Sequence, residues 1–332
     1  MATKKKARGS ARVGGSQTAE PATKGQSGRR PSKAPAPRSK LAKRIVLESL
    51  RAGRQKADRV LKSRAKALRS QLATFALRDA GLLIFEGDSW FNYPLGTDIR
   101  WELRNLGYEV ESNAYRGKRL KEMFDYPQDL EVLIGRQTRV PKAVLLSGGG
   151  NDIVYNDNDE FLKMLNPANS PRPGWDSAEL KKRIDDDLQV LYLKLLAMIT
   201  QFCVKKWQHP VPILIHGYAN PVPDGHPAGP TGPWLKPVFE AQRYVDTTGK
   251  IDLAVCTPLM VQLIGRFNAM LKGLSTAAPG LEHVNYVDLR PALSNGADYK
   301  DYWANELHPK KHGFKEVTKV IAAKLTALGG LI

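Results

Sequence analysis

The stretch Leu-Leu-Ile-Phe-Glu-Gly-Asp-Ser-Trp over residues 82–90 runs apolar and then stops on a serine. A serine hydroxyl attacks carbonyl carbon only when a neighbouring base takes its proton, and histidine, with an ordinary pKa near working pH, suits that task. A suitable histidine lies in Asn305-Glu306-Leu307-His308-Pro309, just ahead of the last helical stretch. Two more polar clusters interrupt apolar runs: Asn-Ala-Tyr-Arg-Gly at 113–117 and Gly-Gly-Asn-Asp at 149–152. Singly, each cluster has a plain reading. Gly, Asp, Asn and Ser make turns, Asp88 and Asp152 brace such turns, and His-Pro opens a helix. His216 and His312 read as structural or exposed, His226 sits in a loop, and Trp90, Phe91 and Tyr93 read first as core. Together, the clusters offer a serine and a histidine that could act as nucleophile and base, provided the chain brings them to one edge.

The elements that must do so are legible. Residues 81–89, 108–115, 142–152, 211–218 and 283–290 read as strands ending in polar turns, while 97–107, 130–137, 178–207, 259–274 and 312–330 carry helical apolar spacing. Strands alternating with helices predict a mainly parallel sheet covered on both faces, a three-layer α/β/α arrangement with five strands. In such sheets a site forms beyond the carboxyl ends of the strands. The segment 220–237 is too rich in Pro and Gly for regular structure and reads as a loop over that rim.

In this order the four clusters resemble the SGNH hydrolase superfamily, the GDSL-type esterases and lipases. That family joins a Ser in a Gly-Asp-Ser block, a Gly, an Asn in a Gly-x-Asn-Asp block and an Asp-x-x-His. The likeness covers residues 80–332 and implies an SGNH/flavodoxin-like fold. It implies Ser89 as nucleophile, His308 as base, and an oxyanion hole from the Ser89 and Gly117 N–H groups and the Asn151 amide. A glycine at 117 leaves the substrate's approach open. It also implies an acyl-enzyme route to cleavage of a carboxylic ester, whether small-molecule, glycan or lipid, without a cofactor. The sequence departs from the pattern once, because Asn305 stands where the family has Asp. Three readings stand: Asn305 orients a weaker base, Glu306 or Asp301 supplies a carboxylate from a shifted position, or hydrolysis is lost and a binding pocket kept.

The net charge of +18 belongs to one end. Residues 1–80 hold 22 Lys and Arg against 4 acids, and the remaining 252 residues hold 29 of each. Residues 1–40 lack large apolar side chains and are expected to be disordered; 41–79 carry helical spacing and are expected to form a basic amphipathic helix. The excess charge is a footprint for polyanions, either nucleic acid bound without sequence preference or an anionic surface. The basic opening is followed by no apolar run, unlike a secretory signal. Eighteen consecutive apolar residues occur nowhere. Cys203 and Cys256 have no partners at metal spacing and read as buried thiols, so a reducing cytoplasm is the expected compartment and no metal is expected. Oligomeric state is not legible.

Overall fold

A computed structural model describes residues 79–94, 97–154, 158–229, 231–277 and 279–328, together with Arg59, Lys62 and Ser63. Residues Met1–Leu68 form one unit and Arg69–Ile332 a second. Within the first, Arg59, Lys62 and Ser63 are helical and exposed. The expected disordered tail over 1–40 and almost all of the expected helix over 41–79 lie outside the described residues.

Five strands form a sheet: β1 (Leu82–Gly87), β2 (Glu109–Ser112), β3 (Ala143–Ser147), β4 (Ile213–His216) and β5 (Val284–Val287). Their order is β2-β1-β3-β4-β5 and every pairing is parallel. The alternation of strands and helices predicts this three-layer arrangement. β1 and β3 are buried at every residue, which is why they open on apolar runs, Leu82–Phe85 and Ala143–Leu146, rather than alternating ones. Leu83 pairs with Val110 on one side and Ala143 on the other. Each large side chain buried here contributes roughly 1.5–3 kcal/mol.

The helices are α1 (Ile99–Asn105), α2 (Leu120–Asp125), α3 (Gln128–Gly135), α4 (Gly150–Val154), α5 (Asn158–Lys163), α6 (Ser177–Lys181), α7 (Gln189–Trp207), α8 (Lys236–Ala241), α9 (Leu253–Ala277), α10 (Tyr299–Tyr302) and α11 (Lys311–Leu328). α6 and α7 are joined through a π-helical stretch, Lys182–Leu188. α1 packs on α11, and α2 and α3 pack on α7. Asp98 starts α1 by accepting the Trp101 N–H at 2.9 Å. Gln208, at φ 65°, ends α7 in the left-handed conformation. Stretches Ser177–Trp207 and Leu253–Thr276 are long and apolar enough to cross a membrane by length and composition. Each turns a face inward here, with Tyr192, Leu195 and Ile199 on one and Met260, Leu263 and Phe267 on the other.

The structure differs from the expected elements in several places. α2, α5, α8 and α10 are added helices, and α8 starts within the 220–237 segment expected to lack regular structure. α9 starts six residues before 259 and runs through Pro258. Gly150 and Asn151, expected in a turn, open the short helix α4. Two residues, Leu165–Asn166, pair antiparallel with Gly174–Trp175 outside the main sheet.

Candidate active site

β1 ends at Gly87, and the chain turns at once through Asp88 and Ser89. The Ser89 Oγ lies 2.8 Å from His308 Nε2, and His308 Nδ1 lies 2.9 Å from Asn305 Oδ1. The orientation of Asn305 fixes the imidazole tautomer. Its Oδ1 also accepts the Leu307 and His308 N–H groups, both at 3.0 Å, while its Nδ2 donates to the Tyr93 hydroxyl at 3.2 Å. An oxygen facing three donors requires the proton on Nδ1, which leaves the Nε2 lone pair to the serine hydroxyl. The Tyr93 ring stacks on the imidazole, with centroids 4.7 Å apart. The Trp90 indole N–H donates to Leu307 C=O at 3.1 Å, tying the serine turn to the histidine turn. Burial lowers the pKa of His308 to about 4, so the imidazole is neutral at pH 7.

Glu306 points elsewhere. Its carboxylate accepts four backbone N–H groups, from Gly225, Trp234, Leu235 and Lys236, at 2.6–3.0 Å. It thereby holds the Pro/Gly-rich loop against the histidine turn. Burial raises its pKa, opposed by those N–H bonds. Asp301 is exposed on α10, and the Nδ1 position of His308 is taken by Asn305.

Asn151 sits in the first turn of α4 and donates one Nδ2 hydrogen to Lys118 C=O at 3.0 Å, which leaves its second amide hydrogen uncommitted to that bond. Gly117, at φ 76°, lies in the turn after β2 where a side chain would be strained. That turn is knitted to β1 by Asn113 N–H to Phe85 C=O at 2.9 Å and Tyr115 N–H to Gly87 C=O at 3.1 Å. Beneath it is a buried ion pair, Glu86 with Lys118 at 2.6 Å. Lys118 also donates to Asn113 C=O at 3.0 Å, and Asn113 Nδ2 to Glu86 at 2.8 Å. Burial raises the Glu86 pKa while Lys118 opposes that rise. Asp152 accepts the Leu120 N–H at 3.0 Å and so braces the same turn from α4.

The two turns are coupled through Asp88. One carboxylate oxygen accepts the Trp90 N–H at 3.0 Å and the Ser147 hydroxyl at 2.9 Å. The other accepts the Tyr218 hydroxyl, which in turn accepts the Gly150 N–H at 3.2 Å. A Cβ at Gly150 would meet the Tyr218 ring at 2.9 Å, so the close approach needs glycine. A chain of hydrogen bonds thus runs from the serine turn to the helix bearing Asn151.

All five strands are parallel, and Ser89, Gly117, Asn151 and His308 follow the ends of β1, β2, β3 and β5 in that order. This is a three-layer α/β/α fold built on a parallel five-stranded sheet. No family model and no curated protein matches it. Among solved structures it is similar to a GDSL-like lipase from Bacteroides thetaiotaomicron (12% identity, 75% of this chain and 89% of that one, TM-score 0.43). It is likewise similar to a carbohydrate acetylesterase from Sinorhizobium meliloti (12% identity, 74% and 99%, TM-score 0.43).

Residue types alone hid several members of this site. Lys118, Tyr218 and Glu86 carry no motif. The one available signal was Glu86 itself, a carboxylate inside an apolar strand, which must find a buried partner. His216 is buried with Nδ1 on Gly217 C=O at 2.9 Å, and His312 is exposed beside Glu316. His226 is an exposed loop residue, and both cysteines are buried and unpaired. Among the described residues, no three His, Cys, Asp or Glu side chains gather as a metal site requires.

Proposed function

We propose that the chain is a serine hydrolase that cleaves carboxylic esters through an acyl-enzyme. The observation carrying this is the relay of two hydrogen bonds, Ser89 Oγ to His308 Nε2 and His308 Nδ1 to Asn305 Oδ1. Ser89 Oγ attacks the ester carbonyl carbon as its proton passes to His308. The carbonyl oxygen becomes an oxyanion that the Ser89 and Gly117 N–H groups and the Asn151 amide receive, donors of a kind each worth about 10²–10³ in rate. The C–O bond to the alcohol then breaks, and His308 returns the proton to that alcohol. Water, deprotonated by the same imidazole, attacks the acyl-serine carbonyl; the bond to Ser89 Oγ breaks as His308 returns the proton to that oxygen, and the carboxylic acid leaves. Asn305 performs the orienting role of the usual aspartate but supplies no charge to the imidazolium.

Labelling of the purified protein with a fluorophosphonate tests the reading. We expect stoichiometric phosphonylation that disappears in Ser89→Ala and falls at least a hundredfold in rate in His308→Ala. Folded wild-type protein that resists the probe would instead favour a non-catalytic binding pocket, for which the missing carboxylate at 305 is the motive.

A further inference from the structure

A cavity of about 70 Å³ opens beside the Ser89 hydroxyl and reaches Asn151 and His308. Ile153 and Val154 of α4 form one side. Met260, Leu263, Ile264 and Phe267 form another, and their spacing places them on one face of α9. These six side chains are all buried to below a tenth of their surface. Among the described residues Asp88 is the single charged side chain on the cavity wall, and both of its oxygens are engaged by Trp90, Ser147 and Tyr218. A charged group entering here would lose its water and meet no opposite charge. Size is equally restrictive. An apolar cavity of about 150 Å³ accommodates benzene, so about half that volume seats roughly three carbon atoms.

We propose that this cavity is the acyl subsite, and that it restricts the substrate to esters of short, uncharged acids of roughly two to four carbons, with α9 as the wall that sets the limit. The inference rests on the hydrolase reading above. In an acyl-enzyme the carbonyl carbon is bonded to Ser89 Oγ, so the rest of the acyl group must occupy space contiguous with that oxygen. This cavity borders it. α9 lies far from the nucleophile in sequence, so chain-length preference can change without altering the relay. Each methylene that cannot be seated is expected to cost about tenfold or more in kcat/KM.

The test compares p-nitrophenyl acetate, butyrate and octanoate with the full-length protein, alongside the fluorophosphonate assay. We expect acetate and butyrate to exceed octanoate at least a hundredfold in kcat/KM. Met260→Ala, which enlarges the cavity, should raise the octanoate-to-acetate ratio at least tenfold. Ile264→Phe, which fills it, should lower butyrate against acetate at least tenfold and guards against loss of fold in the first variant. Ser89-dependent turnover that is level or rises toward octanoate overturns the short-acyl inference and leaves the hydrolase reading intact. So does phosphonylation of Ser89 without turnover of any of the three esters. Ratios unchanged in both variants overturn the placement of the limit at α9. Absence of both turnover and phosphonylation overturns the hydrolase reading, and this inference with it.

Discussion

At the scale of single residues, the unusual feature is a neutral partner for the histidine. Burial holds His308 near pKa 4, and among the described residues no carboxylate faces it to pull that value up. A general base must be unprotonated to work, so kcat/KM should fall only as pH drops through about 4. Aspartate at 305 has the same shape: one oxygen would keep the three donors, and the other would meet the Tyr93 hydroxyl turned to donate. Its charge would stabilise the imidazolium and raise the histidine pKa. Asn305→Asp is therefore expected to move the acid limb of the pH–rate profile upward by at least one unit, with kcat at neutral pH kept or raised. Asn305→Ala, which frees the ring, should cost about 10²–10⁴ in kcat. A wild-type limb already at 6.5, or one that stays put in Asn305→Asp, would contradict this account. Which group faces the imidazole was not legible beforehand, because spacing leaves Asn305, Glu306 and Asp301 all within range. The direction of Asn305 is set by the N–H groups of residues 307 and 308. That of Glu306 is set by the N–H groups of residues 225 and 234–236, about seventy or more positions away.

At the scale of elements, the proposed mechanism requires two loops from different strands to hold their donors in fixed relation to one serine. Tyr218, two residues beyond β4, links them by bonding Asp88 behind Ser89 and Gly150 ahead of Asn151. Tyr192 adds a second clamp on the same glycine turn, through Gly148 C=O at 2.8 Å. Tyr218 touches no reacting atom, so its effect should pass through Asn151. Tyr218→Phe is expected to lower kcat about 10–100-fold, a fraction of the worth of an oxyanion donor, with KM nearly unchanged. In an Asn151→Ala background the same change should cost less than threefold. Equal losses in both backgrounds would mean that the tyrosine only supports the fold. The sheet that positions these loops was legible because its central strands are mostly apolar and its longer helices repeat over several turns. α2 was not, since six residues give less than two turns of pattern. The start of α9 was hidden by Pro258, which usually marks a boundary but here lies within the helix. The tyrosine clamps were not legible at all, since a tyrosine on an apolar helix face or after a strand end reads as core until its hydroxyl has a partner.

At the scale of the whole molecule, charge and chemistry are separated along the chain. Residues 81–332 carry 29 basic and 29 acidic side chains, and residues 1–80 carry the entire surplus of 18. A neutral body gives a charged surface no reason to attract it, so any polyanion should be held through the first 80 residues alone. That segment has no aromatic residue before Phe75, so base stacking cannot add sequence preference. Binding should then be governed by counterion release. With 6–10 phosphate contacts, affinity is expected to fall about 10³–10⁵-fold between 50 and 200 mM salt. The measurement is titration of the full-length protein with duplex DNA of two unrelated sequences and with phosphatidylserine vesicles, at both salt concentrations. Equal affinity for the two DNA sequences together with a steep salt slope is the expected result. Preference for vesicles over DNA at matched charge would point to insertion of apolar side chains from residues 41–79 rather than to charge alone. Affinity that survives 200 mM salt unchanged, or absence of binding to either surface at 50 mM, would remove the polyanion role. The ester assay run with and without DNA separates the two halves of the molecule: because Ser89 and the cavity belong to the neutral body, turnover of a small uncharged ester should be the same in both.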